Sequence, residues 1–304
     1  MSETRILCLG AGNGWHRNQL QQASDSAGVR LETATYESLA ARIEADQTIL
    51  DCEAGRLDEF DAILTRTMPA GSLETITFRL AVLHQLENQP GGPVVVNPAR
   101  SLELAIDKFA TLARVRQLGF AIPDTIVVQS RHEALDAWDS LGGDCIVKPI
   151  FGGEGRGVMR ITDRELAWTT FATLERLDSI MYVQRFVPPG GCDTRLLLIG
   201  DEVIGLRREN QNDFRANVAS GGSCQAIELE TTQIEMAHQI CSVLGLNFAA
   251  VDLIHDCDDA ARVIEVNAIP GWKGAQTVTP FPIADRIVEL LKKMPAALTE
   301  AKCS

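Results

Sequence analysis

No CxxC pair occurs among the eight cysteines, which argues against a zinc site or a dithiol redox motif. They lie scattered at Cys8, Cys52, Cys145, Cys192, Cys224, Cys241, Cys257 and Cys303, several within apolar strand-like runs where a thiol behaves as a small hydrophobe. The expectation is reduced thiols in a cytoplasmic protein, not a disulfide framework. No apolar run is long enough to span a bilayer, and the polar start "MSETR" leads into a strand without a signal-peptide pattern. Basic residues are scarce. The 28 Lys and Arg against 41 Asp and Glu leave a net charge of −13, which argues against a protein that wraps nucleic acid nonspecifically. Internal repeats and low-complexity tracts are also missing. What remains is an ordinary globular composition over 304 residues, enough for two modest domains or one large one.

The first hundred residues alternate strand-like and helix-like stretches. "RILCLGAGNG", "DAILTRTMP" and "GPVVVNP" are short apolar runs, and "NQLQQASDSAG" and "SLETITFRLAVLHQLEN" lie between them. That alternation predicts a parallel sheet covered on both faces. Residues 101–186 change character. Asp107 can cap a helix carrying Phe109, Leu112 and Ala113 on one side, and Gly119 suits its end. From Pro123 to Phe186 the pattern is strand, helix, strand, glycine loop, strand, helix, strand: a unit small enough to act as a lid. Residues 187–304 read as strand-rich up to a closing helix, "PIADRIVELLKKM".

Two segments carry chemistry. "CIVKPIFGGEGRGVMRI" places Gly152, Gly153, Gly155 and Gly157 just after a strand ending in Lys148. Glycines lose much conformational freedom on ordering, so such a loop implies something that orders it. A phosphate fits, because backbone N–H groups can then approach the anion closely. The second segment is "AAVDLIHDCDDAARVIEVNAIPG". Read as a hairpin centred between Asp258 and Asp259, it sets Asp252 directly opposite Glu265, with Glu265 and Asn267 on one face and Ile264 and Val266 on the other. Like charges opposed across a ladder repel, whereas a hard cation such as Mg²⁺ or Mn²⁺ would hold them together. A slipped register with both acids in solvent is the competing reading. Arg195, Arg207, Arg208 and Arg215, near Asp193 and Asn217, add forks suited to carboxylates and phosphates.

Taken in order, "NPARSLELAIDK", "IVKPIFGGEGRGV", "YVQRFV", "GCDTRLLLIGDEVIGLRR", "DFRANVASGG", "AAVDLI" and "VIEVNAIPG" resemble the ATP-grasp superfamily, and most closely its RimK-like amino-acid ligases. The resemblance implies an α/β ATP-grasp fold: a Rossmann-like domain over residues 1–100, a central lid over 101–186 and a C-terminal core with a metal site over 187–304. It implies ATP-dependent joining of a carboxylate to an amine through an acylphosphate. By the same resemblance, Lys108, Lys148 and the 152–157 loop contact ATP phosphates. Gln184, Arg185 and Phe186 belong to the adenine hinge, and Asp193, Arg215 and Asn217 complete the nucleotide and acylphosphate site. Arg215, with Arg195, is the catalytic candidate. Asp252, Glu265 and Asn267 are implied ligands of two Mg²⁺ or Mn²⁺ ions. The implied partners are an amino acid, glutamate, and a small-molecule or peptide carboxylate acceptor, with no nucleic acid and no membrane; homo-oligomerisation is left open. Two departures stand out. Arg185 replaces the glutamate common in relatives, and "GWKG" sets Trp272 and Lys273 beside the metal strand, where Lys273 either meets an anionic acceptor or is simply solvated.

Two other functions fit parts of the chain. "GAGNGWH" follows a strand and Glu32 lies 20 residues after Gly12, as in a nicotinamide-binding oxidoreductase, but Trp15 occupies the third glycine's slot. A non-catalytic ATP-binding regulatory protein would share the ATP motifs.

Overall fold

The structure, a computed structural model, describes residues 3–302 apart from 11, 154 and 218–220, and side chains as far as 294. The N-terminal unit runs β1 (Arg5–Leu9), α1 (Trp15–Ser26), β2 (Arg30–Ala34), β3 (Ala40–Ile43), β4 (Thr48–Cys52), β5 (Gly55–Arg56), β6 (Ala62–Thr65), α2 (Leu73–Glu87) and β7 (Val94–Val96). Its main sheet is parallel, in the order β2-β1-β6-β7. Side chains alternate across it. Ile6, Cys8, Ala62 and Leu64 join a core with Leu20 and Ala23 of α1, while Leu7, Leu9 and Ile63 join another with Val82, Leu83 and Leu86 of α2. Burial on both faces explains why these strands read as continuous apolar runs. The β3-β4-β5 sheet is an addition to the expected pattern; β3 is exposed along its whole length, so no apolar period announces it.

Two helices follow, α3 (Ala99–Ile106) and α4 (Lys108–Gln117). Asp107 caps α4 as expected, its carboxylate accepting from the N–H groups of Phe109 and Ala110 at 2.8 and 3.0 Å. Leu112 and Val115 are buried, but Phe109 is 55% exposed and does not share their face. The lid comprises β8 (Thr125–Val128), α5 (Arg131–Ser140), β9 (Cys145–Lys148), β10 (Met159–Ile161), α6 (Arg164–Arg176) and β11 (Met181–Arg185), in the expected sequence of elements. Its antiparallel sheet, β10-β9-β11-β8, packs on α5 and α6 around a core of its own that includes Trp138, Val147, Phe171 and Val183.

The remaining elements are β12 (Cys192–Ile199), β13 (Glu202–Glu209), β14 (Ser223–Ile227), α7 (Thr231–Leu244), β15 (Phe248–His255), β16 (Ala261–Asn267), α8 (Lys273–Gln276) and α9 (Ile283–Lys302). Five strands form an antiparallel sheet, β14-β13-β12-β15-β16, and α7 interrupts what reads as strand-rich sequence. Leu112 and Val115 of α4 pack in the same core as Val251, Val263 and Val266, so α3 and α4 share their packing with this sheet and not with the lid's.

Asn97 joins the N-terminal unit to β15 and β16. It is 1% exposed, and its amide donates to the carbonyls of Phe248 and Ala268, both at 2.7 Å. Its oxygen accepts from the N–H groups of Asn247 and Phe248 at 2.8 and 3.1 Å. Asn97→Ala leaves four buried backbone groups unpaired and is expected to cost about 3 kcal/mol or more in urea denaturation. Asn97→Asp should be comparably damaging, because a carboxylate cannot donate to the two carbonyls.

Candidate active site

The floor of the main cleft is built by strand register. Arg195 on β12 lies directly opposite Asp252 on β15, which lies directly opposite Glu265 on β16. One row thus reads cation, anion, anion. Arg195 grips Asp252 with two bonds of 2.7 and 2.6 Å, and Arg208 adds a third at 3.0 Å. Arg208 also grips Asp193, its cross-strand neighbour, with two bonds of 2.6 Å. Burial alone would push the Asp252 carboxyl up, but Arg195 and Arg208 outweigh it and hold the group at about 2. Asp252 is therefore an anion at neutral pH.

The expected opposition of Asp252 and Glu265 is present, but the hairpin reaches it through a bulge. Leu253 pairs with Val263 and Asp252 with Glu265, so Ile264 is the extra residue. Val263 and Val266 both face the core, and Ile264 turns into the cleft beside Ile254. The expected placement of Ile264 with Val266 is therefore corrected; the inserted residue resets the alternation. The repulsion is also relieved differently from the expectation, because two arginines already neutralise Asp252.

Lys148 ends β9 and points inward. Its Nζ donates to the side-chain oxygen of Gln184 at 2.7 Å and lies 5.8 Å from the centre of the Tyr182 ring. The Gln184 amide is oriented by its other end, which donates to the hydroxyls of Thr125 and Tyr182 at 2.9 and 3.3 Å. Burial pulls Lys148 down to about 8, against the opposing pull of Glu265. Lys108, at the start of α4, donates to the carbonyl of Gly152 at 2.6 Å and so holds the glycine loop from the other side. Burial lowers its pKa too, again opposed by Glu265.

Arg215 reaches the same loop, donating to the Gly155 carbonyl at 3.3 Å while pairing with Asp213 at 2.6 Å. At the hinge, the N–H groups of Arg185 and Phe186 are committed to the carbonyls of Asp124 and Asp144 at 2.8 and 3.0 Å. The Arg185 guanidinium pairs with Asp124 at 3.0 Å. These elements line one cleft, which gathers Lys108, Lys148, Gly152, Gly153, Gly155, Gln184, Arg185, Phe186, Asp193, Arg195, Arg215, Asn217, Asp252, Glu265 and Asn267. Gly157 is not in the lining. Its φ is +71°, and a Cβ there would come within 2.8 Å of Pro149, so its place is in shaping the loop.

Ile146, Val158, Ile254 and Ile264 also line the cleft and had no role in the sequence reading, and Arg208, grouped there only with the other arginines, lines it too. The hairpin turn between β12 and β13 carries the missed signal, since that register sets Asp193 opposite Arg208. Lys273 is exposed at the start of α8, whereas Trp272 is fully buried. The dinucleotide reading fails on geometry. Glu32 is bound by Arg5 and Arg30 at 2.9 and 3.1 Å, and Trp15 packs against Trp272 where the third glycine was needed.

The donor set suits a hard divalent cation. Glu265 has no hydrogen-bond or ion-pair partner among the described residues, and the Asn267 amide oxygen accepts one bond, from the Ile269 N–H at 2.9 Å. No group of three or more His, Cys, Asp or Glu side chains is assembled among the described residues, so the set is two carboxylates and one amide. All three offer oxygen. Asp252 would share its oxygens with the two arginines. The seven described cysteines are unpaired, and Cys303 lies outside the described residues. Among the described residues, no helix is long and apolar enough to cross a membrane.

A fold of this kind, with a separately cored unit carrying a glycine loop and facing an acidic strand pair, defines an ATP-grasp enzyme. A family model for the RimK-like ATP-grasp domain matches residues 105–291, and the chain belongs to that family of ligases. It is 27% identical over 286 residues to the tetrahydromethanopterin:alpha-L-glutamate ligase of Methanosarcina acetivorans, covering 84% of this chain and 87% of that one. It is 28% identical over 280 residues to the ribosomal protein bS6–L-glutamate ligase of Shigella boydii, covering 90% and 91%. Among solved structures, the ATP-grasp ligase PsnB with minimal precursor, Mg and ADP superposes with a TM-score of 0.74 at 20% identity, over 97% of this chain and 99% of that one.

Because Lys148 has its pKa lowered to about 8, it is charged below that pH and neutral above it. Affinity for a triphosphate is expected to hold below pH 8 and to fall above it, by up to about tenfold per pH unit. Calorimetric titration of Mg-ATP binding from pH 7 to 9.5 checks this. Lys148→Arg, which stays charged, should flatten the profile.

Proposed function

We propose that this protein uses ATP to join glutamate, through its amine, to an acceptor carboxylate by way of an acylphosphate. The observation that carries the reading is the assembly in one cleft of two lysines, the glycine loop, Arg215 and the trio Asp252, Glu265 and Asn267. The acceptor is a small pterin-like cofactor of the tetrahydromethanopterin type or a protein C-terminus. A net charge of −13 disfavours a strongly acidic protein tail, which places the small molecule first.

The chain's own groups divide the work. Ile146, Val158, Ile254 and Ile264 give the cleft an apolar slot suited to a purine. With the Arg185 and Phe186 N–H groups already committed, the Val187 N–H, which has no partner among the described residues, is the hinge donor left to read the base. Lys148 and Lys108 meet the phosphates, and Gln184 keeps Lys148 aimed. Asp252, Glu265 and Asn267 would hold Mg²⁺ or Mn²⁺, which supplies charge neutralisation on the transferring phosphoryl group. The loop over residues 152–157 excludes water that would hydrolyse an acylphosphate. Arg215 leaves Asp213 to steady the oxyanion formed as the amine attacks. No side chain of the cleft stands as an obligatory base, so the amine arrives deprotonated or loses its proton to departing phosphate.

ADP release should depend on both an amino acid and an acceptor, and mass spectrometry of the product should show the gain of one or more glutamyl residues. A gain of a different residue overturns the amine assignment, and ATP binding without amine-dependent phosphate release is the behaviour of a regulatory ATP-binding protein. Arg215→Ala should leave ATP affinity within about threefold while lowering kcat by roughly 10²–10³. Unchanged turnover in that variant removes Arg215 from the mechanism.

A further inference from the structure

A second cationic site lies outside the nucleotide cleft, in the N-terminal unit. Arg66 follows β6 directly and is 7% exposed. One end of its guanidinium donates to the Pro270 carbonyl at 3.1 Å, whereas Nη1 is buried without any partner. The ring centres of Trp272 and Phe248 lie 5.0 and 5.7 Å from the guanidinium carbon. No carboxylate pairs with Arg66 among the described residues. A guanidinium so enclosed is costly without a counter-charge.

Two more orphaned donors stand beside it. Trp272 is fully buried and its Nε1 has no partner, and the Nε of Arg17, near the start of α1, is likewise buried and unpaired. Arg17 follows His16 and Trp15 on α1, whose rings lie 4.4 and 6.3 Å from that of Trp272, so the start of α1 packs against the same turn as Arg66. His16 accepts the backbone N–H of Trp272 at 3.2 Å through Nε2, and burial with Arg66 and Lys273 nearby keeps the ring neutral, down at about 4. The cluster is thus rich in donors and poor in acceptors. Chemistry of that kind selects a ligand that only accepts, and a guanidinium fork matches a carboxylate.

Topology gives the same answer. The chain leaves β1 for β2 on one side and returns to β6 on the other, so the carboxyl ends of β1 and β6 form the switch point where open α/β sheets bind ligands. Gly10, with φ of +83°, lets β1 pass beneath Tyr36 and Thr67, where a Cβ would come within 2.6 Å. The turn from Pro270 to Lys273 lies against Arg66, whose guanidinium donates to the Pro270 carbonyl at 3.1 Å, and it begins shortly after Asn267 on the acidic strand. The crevice and the nucleotide cleft therefore share the end of β16.

We propose that this crevice seats a substrate carboxylate of the ligase reaction, gripped by Arg66 with Trp272 and Arg17 as further donors, the Pro270–Lys273 turn lifting to admit it. This assignment rests on the ligase reading. The carboxylate has two sources, the acceptor and the incoming amino acid.

The test uses thermal shift on the full chain with L-glutamate, and separately with N-acetyl-L-glutamate, whose blocked amine leaves only the acceptor's carboxylate chemistry. One of the two should raise the wild-type Tm, and which one does so identifies the source. Arg66→Met should lose that shift, keep the shift given by Mg-ATP, and show a free-protein Tm no lower than wild type, because it no longer buries an uncompensated charge. Arg66→Lys keeps the charge without the fork, and should raise KM for the same substrate by roughly tenfold or more with kcat less affected. If Met does not fold at this position, the Lys variant carries the comparison. The proposal is overturned if neither compound shifts the wild type, if the variants respond as wild type does, or if Arg66→Met loses its Mg-ATP shift and stability together. Carboxylate binding is read here without turnover, so its failure is distinct from an absence of ligation.

Discussion

Asp252 is 3% exposed and ionised, and a carboxylate so placed persists only where cations meet it at hydrogen-bonding distance. Arg195 and Arg208 meet it on one side, and Asp193 completes the network by occupying the rest of Arg208. Much of the site follows from this arrangement. With Asp252 neutralised, Glu265 can stand opposite it without forcing the strands apart. Glu265 is then left without a hydrogen-bond or ion-pair partner among the described residues, which is the state a cation-binding carboxylate needs. The same Glu265 acts on Lys108 and Lys148, so the acidic strand also bears on the charge state of the lysines across the cleft.

The division of the cores sets the sheet over the cleft apart from the body beneath it. The lid has its own apolar core, while the N-terminal unit and the C-terminal sheet share two others. Across the cleft, the glycine loop is tied to the body through polar contacts: Lys108 to Gly152, and Arg215 to Gly155. Such bonds are worth little net in water-exposed settings and exchange readily for bonds to phosphate. Tyr182 of β11 and Val127 of β8 pack in the main core instead, and Tyr182 sits beneath Lys148. These apolar contacts tie the lysine's sheet to the body, whereas the loop beyond it is tied by polar contacts.

Much of this was legible in the sequence, for identifiable reasons. A strand's period of two and a short polar turn were enough to set Asp252 opposite Glu265. The order of the lid elements followed from alternating apolar runs and glycines. The bulge at Ile264 was not legible, because one inserted residue changes the facing of its neighbours without changing their composition. Phe109 looked like a core residue by type and is exposed, and β3 carries no apolar alternation at all. The crevice around Arg66 was hidden for another reason. Arg17, Arg66 and Trp272 are far apart in the chain, and only the packing of α1 against the 270–273 turn makes three scattered donors a group.

A strongly acidic member of an ATP-using family works against its own charge, and the structure resolves the tension by distance and burial. The surplus acids are spread over the surface, where salt screens them beyond about 8 Å. Arg66 is buried, and Lys148 and Lys108 are half-buried. A charge removed from water acts on a bound anion at an effective dielectric several times lower than that of bulk solvent. A few enclosed cations at contact distance therefore outweigh many screened acids. The desolvation that lowers Lys148 to about 8 is the same desolvation that strengthens its hold on a phosphate, provided it enters the complex charged.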